Sequence, residues 1–182
     1  MTAVVGQAEG QHTTRTVRSI SIDVAIGLAA LACIAHFVEV PRHFEWWPAS
    51  GVAFVVIGVL QGALAVALLR PSPSPSPSPR LVKIGLWGTV AVVVLYLTSR
   101  TVGLPFSPGV PVHGAKLLPG MPIMPDGDKL VGPVDMLTLI AEVALIVVLL
   151  GLLPRRARRR ASNGLMWCGL SIWALAILGA LT

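Results

Sequence analysis

Charged side chains are scarce in this sequence. They make up 12% of its 182 residues, about half of the ~25% usual in soluble domains. That supply is too small to clothe an ordinary water-facing surface. Aromatic residues are scarcer still at 5%, so the apolar mass is mostly Val, Leu, Ala and Ile. The only two cysteines, Cys33 and Cys168, both lie inside apolar runs. This excludes a disulfide framework and makes them small buried hydrophobes. Strict chemical motifs are also missing. There is no CxxC, no HExxH, no GxSxG and no phosphate-cradling glycine loop. No nucleophile has an evident partner base, so no enzymatic activity is expected. A haem would need axial ligands inside the apolar runs, where only His36 comes close.

What is present is apolar, at 54% of the chain. It is gathered into runs near the ~20 residues that a spanning helix needs. The runs cover about residues 20–38, 48–69, 81–99, 133–153 and 164–181. The expected fold is all-α, a polytopic membrane helical bundle with about five transmembrane helices. Residues 1–18 read as a polar, flexible cytoplasmic arm, and 19–182 as a single membrane domain. The start also has features of a signal peptide, with arginines before an apolar core. However, Leu31 stands two places before Cys33, whereas a lipoprotein cleavage site has its Leu three places before. Asp23 also interrupts the run, so the first run is expected to stay as a span.

Between the second and third spans, residues 71–79 alternate Pro and Ser. Proline at every second position forbids a helix. This cytoplasmic linker should be extended, reaching up to ~28 Å at ~3.1 Å per residue. Residues 101–132 form a Pro- and Gly-rich outer loop with no secondary structure to assign.

Basic residues fix the orientation. Arg15, Arg18, Arg70, Arg80, Lys83 and the cluster Arg155, Arg156, Arg158, Arg159 and Arg160 fall on one side if five spans alternate. That side should be the cytoplasm, which puts the N-terminus inside and the C-terminus outside a plasma membrane. The net charge of +6 is then topogenic, and no nucleic-acid partner is expected. Gly58 and Gly62 form a GxxxG motif, where another helix can come close.

This topology gathers polar residues towards the outer face. Arg100, Asp135, Glu142, Gln61 and Tyr96 form a candidate ligand or ion site. Asp135, Thr138 and Glu142 share one helical stripe. Glu142 and Gln61 lie near the middle of their spans. Two readings are open for each group. Arg100 pairs with Asp135 or Glu39 as structural charge, or it helps to bind a ligand. Gln61 and Glu142 make one interhelical hydrogen bond, or Glu142 carries a proton or a cation. A metal site is a further reading. His36 and Glu39, one turn apart, can reach one ion, with His43 and Glu45 completing its shell. That donor set suits a transition-metal ion such as zinc or copper, and Met121 and Met124 would add soft sulfur for Cu(I).

Three strings also carry a resemblance. They are His36-Phe…Glu39…His43-Phe-Glu-Trp-Trp-Pro, Tyr96-Leu-Thr-Ser-Arg-Thr-Val-Gly-Leu-Pro-Phe-Ser-Pro and Val131-Gly-Pro-Val-Asp135…Glu142-Val. The chain resembles a group of small, uncharacterised integral membrane proteins of actinobacteria and similar bacteria, over roughly residues 20–150. The Ser-Arg-Thr-x-Gly-Leu-Pro-Phe string is its most specific part. The chain departs from the group in its linker and in residues 107–130. The resemblance implies the membrane fold and the outer-face grouping, and it implies no activity. The function expected is binding of a small ligand or metal ion, or service as an accessory subunit of a membrane complex. The alternative is an ion- or proton-coupled transporter acting as a homo-oligomer. Besides such copies or a membrane-complex partner, the lipid bilayer is the one partner implied.

Overall fold

The computed structural model describes residues 3–70, 77–101 and 133–181. It contains five helices: α1 (Ala3–Trp46), α2 (Pro48–Leu69), α3 (Pro79–Thr101), α4 (Pro133–Leu152) and α5 (Arg155–Leu181). There is no strand among the described residues. Among the described residues four stretches are long and apolar enough to cross a membrane: Ile20–Glu45, Pro48–Leu69, Pro79–Ser99 and Pro133–Leu152. In each, only 22–28% of the most apolar window is buried inside the protein. Ile34, Ile84, Ile140 and Val147 all face outwards. Apolar helices with most of their surface outside the bundle need lipid around them, and the chain is a multi-pass helical membrane protein.

Two expectations about α1 change. The polar arm is helical from Ala3 onwards. Nothing before Pro41 forbids a helix there, because the sequence from 1 to 40 has no proline. At the other end the helix passes Val38 and continues through Pro41 to Trp46. Proline inside a helix removes a donor and crowds the carbonyl four residues back. Here packing on both sides holds the helix together. A Cβ at Gly58 would lie 3.1 Å from the Phe37 ring, and one at Gly51 would run into the Phe44 ring. Phe37 and Phe44 bracket Pro41 and are both seated on α2.

The α1–α2 connection is one residue long. Trp47 is extended, with φ −157° and ψ 111°, and Pro48 opens α2. A proline costs little there, because a first-turn N–H has no helical acceptor. The Ser50 hydroxyl adds to the backbone bonds of this turn, 2.8 Å from Trp47 O and 3.1 Å from His43 O, carbonyls that also accept backbone N–H groups. The two helices then run antiparallel in strict register. Phe44, Phe37 and Cys33 of α1 meet Gly51, Gly58 and Gly62 of α2. The GxxxG motif is therefore filled from within the chain. Both cysteines are free.

The last Ser-Pro of the linker is the start of α3. Ser78 Oγ accepts the Leu81 N–H at 3.2 Å, an N-cap, with Pro79 just inside. Most of the linker, like the 102–132 loop, lies outside the described residues. α1 packs mainly on α2 and α4, and α3 mainly on α4. The sequence neighbours α2 and α3 barely touch. One apolar core fills the end of the bundle where α2 finishes and α3 begins. It is built from Ala25, Ala29, Leu64, Leu68, Val82, Leu86, Leu145 and Leu149, among others.

α5 begins at Arg155, so the arginine cluster forms its first turns instead of a loop before it. The expected fifth span, 164–181, is the rest of this helix. It is not among the four qualifying stretches, and its side chains from 175 on lie outside the described residues.

Candidate functional site

Among the described residues four polar side chains are buried, one from each of α1 to α4: His36, Gln61, Thr89 and Glu142. Three of them converge. Glu142 is the tenth residue of the 20-residue α4, at its middle. Gln61 donates from Nε2 to Glu142 Oε1 at 2.8 Å. His36 Nε2 faces the same oxygen at 3.8 Å, within ion-pair reach and beyond hydrogen-bond distance. Thr89 is satisfied locally, donating to Gly85 O at 2.9 Å.

Each member is set by its helix face. On α4, Asp135 and Thr138 are half-buried, Glu142 is buried, and Leu145, Leu149 and Leu152 continue the same inward stripe. On α1, the buried Ala25, Ala29 and Ala32 lead at helical spacing to His36. Such small residues let α1 approach its neighbours closely. On α2, Gln61 lies between the buried Gly58 and Leu64.

The His36 ring has a defined orientation. Its Nδ1 lies 2.8 Å from Ala32 O, a carbonyl, so Nδ1 carries a proton. In the neutral ring Nε2 is then an acceptor and points towards Glu142. The Gln61 carbonyl oxygen, Oε1, is buried with no hydrogen-bond partner. An amide can be turned end for end. As placed, it gives an N–H to a carboxylate. Turned over, its carbonyl would accept from a carboxyl O–H. The site thus has a hydrogen bond for either charge state of Glu142.

An aromatic stack closes the site on the Trp47 side. The Phe54 ring lies 5.3 Å from the His36 ring and 3.7 Å from the His43 ring, stacked on the latter at 22°. His43 Nδ1 is also 3.3 Å from Ser50 Oγ.

The residues expected in a metal shell go to separate neighbours. His36 faces Glu142, and His43 stacks on Phe54. Glu39 sits 3.6 Å from Arg42, its i+3 neighbour on α1. That distance exceeds a hydrogen bond, and Glu39 Oε2 has no hydrogen-bond partner. Glu45 is exposed. Among the described residues, no three His, Cys, Asp or Glu side chains come together as metal ligands. Met121, Met124 and the Arg100 side chain lie outside the described residues. Tyr96 is half-buried, and its carbonyl accepts the Ser99 hydroxyl at 2.7 Å.

Gln61 and Glu142 come together as their mid-span positions imply. The pairing of His36 with Glu142 was not expected. With the first span ending at Val38, His36 belongs at the membrane rim. With α1 reaching Trp46, it lies almost three turns inside the helix end. The signal was present in the small-residue face that ends on His36. No protein-family model, curated protein or solved structure matches this chain.

Proposed function

We propose that the protein binds and exchanges a small cation inside the membrane, that Glu142 is the group that carries it, and that the cation is a proton. One observation supports this most directly. A carboxyl at mid-helix shares one oxygen between a neutral donor, Gln61, and a second titratable group, His36. A hydrogen bond between helices can be made with two amides and needs no carboxylic acid. Ionisable groups at that depth are expensive, and they commonly mark ion or proton pathways.

The charged and titratable neighbours are few. α1 supplies His36 and, one turn further, Glu39, which is held near Arg42. α2 supplies only the Gln61 amide. α3 supplies Thr89 among its buried polar groups, and it does not titrate. The proton therefore has two stations, Glu142 Oε1 and His36 Nε2, with Gln61 turning to suit either state. Carriage across the bilayer would need several copies, since so few spans make a poor alternating-access machine.

The test is proton uptake into liposomes containing the purified protein, driven by a potassium diffusion potential and read by an internal pH dye. Glu142→Gln keeps the shape and a hydrogen bond but cannot ionise. It should abolish uptake while leaving the helical content unchanged. Uptake equal to wild type in Glu142→Gln would sink the proposal.

A further inference from the structure

We propose that the end of the bundle around Arg155–Arg160 binds the headgroups of anionic phospholipids. The argument starts from how α5 sits. At 100° per residue, the five arginines Arg155, Arg156, Arg158, Arg159 and Arg160 fan over one broad side of the helix. Ala157 and Ala161 occupy the other side. Ala161 is buried in the core, and Ala157 packs against it. All five arginines are consequently exposed. Gly164 continues the packed side, where a Cβ would come within 2.8 Å of the Trp87 ring on α3. Small residues bring α5 in, and the cations are turned out.

The same end collects three more cations. Arg70 caps α2, and Arg80 and Lys83 open α3; all three are exposed. Gly85 of α3 is level with Leu64 of α2 and Leu149 of α4, which a Cβ there would meet. Helix ends only a few residues beyond those contacts must therefore lie side by side. Among the described side chains eight cations share this end, and the helix register brings one acid, Asp23, to the same level. None of the eight makes an ion pair among the described residues.

Topogenic charge needs only a count of basic residues near a span. It does not require that every one be held off the bundle and left without a carboxylate. Guanidinium groups make forked hydrogen bonds to phosphate. Beside them, Met166, Trp167 and Leu170 of α5 stay exposed. Tryptophan favours the headgroup level of a bilayer. A phosphodiester with acyl chains fits both features, since its phosphate meets the arginines and its chains lie along the exposed apolar face. Free phosphate would use only the first.

The experiment takes the purified full chain in a neutral detergent and adds phosphatidylglycerol, phosphatidylcholine of equal chain length, or inorganic phosphate. Retained lipid is counted by native mass spectrometry. The expected result is saturable retention of phosphatidylglycerol that weakens at high salt, with phosphatidylcholine not retained. Changing all five arginines to Gln should weaken retention at least about tenfold, since each basic group near an anionic surface contributes measurably. Changing all five to Lys should keep most of it, which separates charge from fold. Equal retention of the two lipids overturns the proposal, and so does full retention by the Gln variant. If inorganic phosphate displaces phosphatidylglycerol at equal concentration, the site belongs to free phosphate and the lipid assignment fails. The comparison of the two lipids on wild-type protein stands even if the Gln variant does not fold.

Discussion

Glu142 has two neighbours that make different demands on it. Gln61 offers a hydrogen bond whether or not the carboxyl is ionised, and His36 stabilises the carboxylate only when the imidazole is charged. Stability should separate these roles. Glu142→Leu removes the bond yet suits an apolar interior, so its cost should be small, about 1 kcal/mol. A double-mutant cycle with Gln61→Leu should give a coupling of about 0.6–2 kcal/mol, read by unfolding in detergent. A coupling near zero would mean that the 2.8 Å bond contributes nothing. Arg100 invites a second cycle. Its expected partners are Asp135, at the start of α4, and Glu39, which lies 3.6 Å from Arg42. Arg100→Ala should couple with Asp135→Ala or with Glu39→Ala in unfolding measurements; coupling with neither would discard the pairing. The polar positions of Gln61 and Glu142 were legible in the sequence, because a polar residue amid some twenty apolar ones stands out. The depth of His36 was not, because depth depends on where a helix ends, and a proline usually ends one.

Helix ends and helix faces carry the next level of argument. α2, α3 and α4 begin at Pro48, Pro79 and Pro133, each just inside a first turn. A proline in that place fixes φ and forfeits no bond, so the starts at Pro48 and Pro133 could be read directly, whereas Pro79 was hidden in the Pro-Ser repeat that reads as linker. Pro41 breaks the pattern, because contacts from another helix overrule it. Pro41→Ala should leave the α1–α2 hairpin intact and raise its thermal stability slightly, since it restores one helical donor. A fall in stability would show that the proline itself is needed. The glycines of α3 make a sharper pair. A Cβ at Gly85 would come within 2.8 Å of Leu64 and 3.4 Å of Leu149, whereas one at Gly88 meets nothing within 4 Å. Gly85→Val should cost about 1–3 kcal/mol through overpacking. Gly88→Val should change stability by no more than about 0.5 kcal/mol. Equal effects would mean that α3 does not press on α2 and α4 in the membrane. The register of α5 escaped the sequence for a different reason. Five arginines look like a loop until Ala157 and Ala161 are seen to mark a buried side.

At the scale of the whole molecule, the orientation expectation can be checked with reporters. A periplasmic reporter placed in the Pro-Ser linker should be silent, and one fused after Thr182 should be active if α5 crosses the bilayer. Silence at both places would leave four crossings and put α5 along the surface. An active linker reporter would invert the molecule. The order of packing has a consequence for how the protein is made. Translation delivers α1 and α2 first, joined by one residue and already in register. That hairpin enters the membrane with His36 and Gln61 turned towards a helix that the ribosome has not yet produced. Glu142 arrives some eighty residues after Gln61. In the interval two polar groups need a temporary partner, whether water, lipid headgroups or an insertion factor. The newborn hairpin is thus the stage at which cellular quality control would find this protein easiest to recognise. A chain released before α4 should be degraded quickly, and supplying α3 to α5 as a separate polypeptide should protect it.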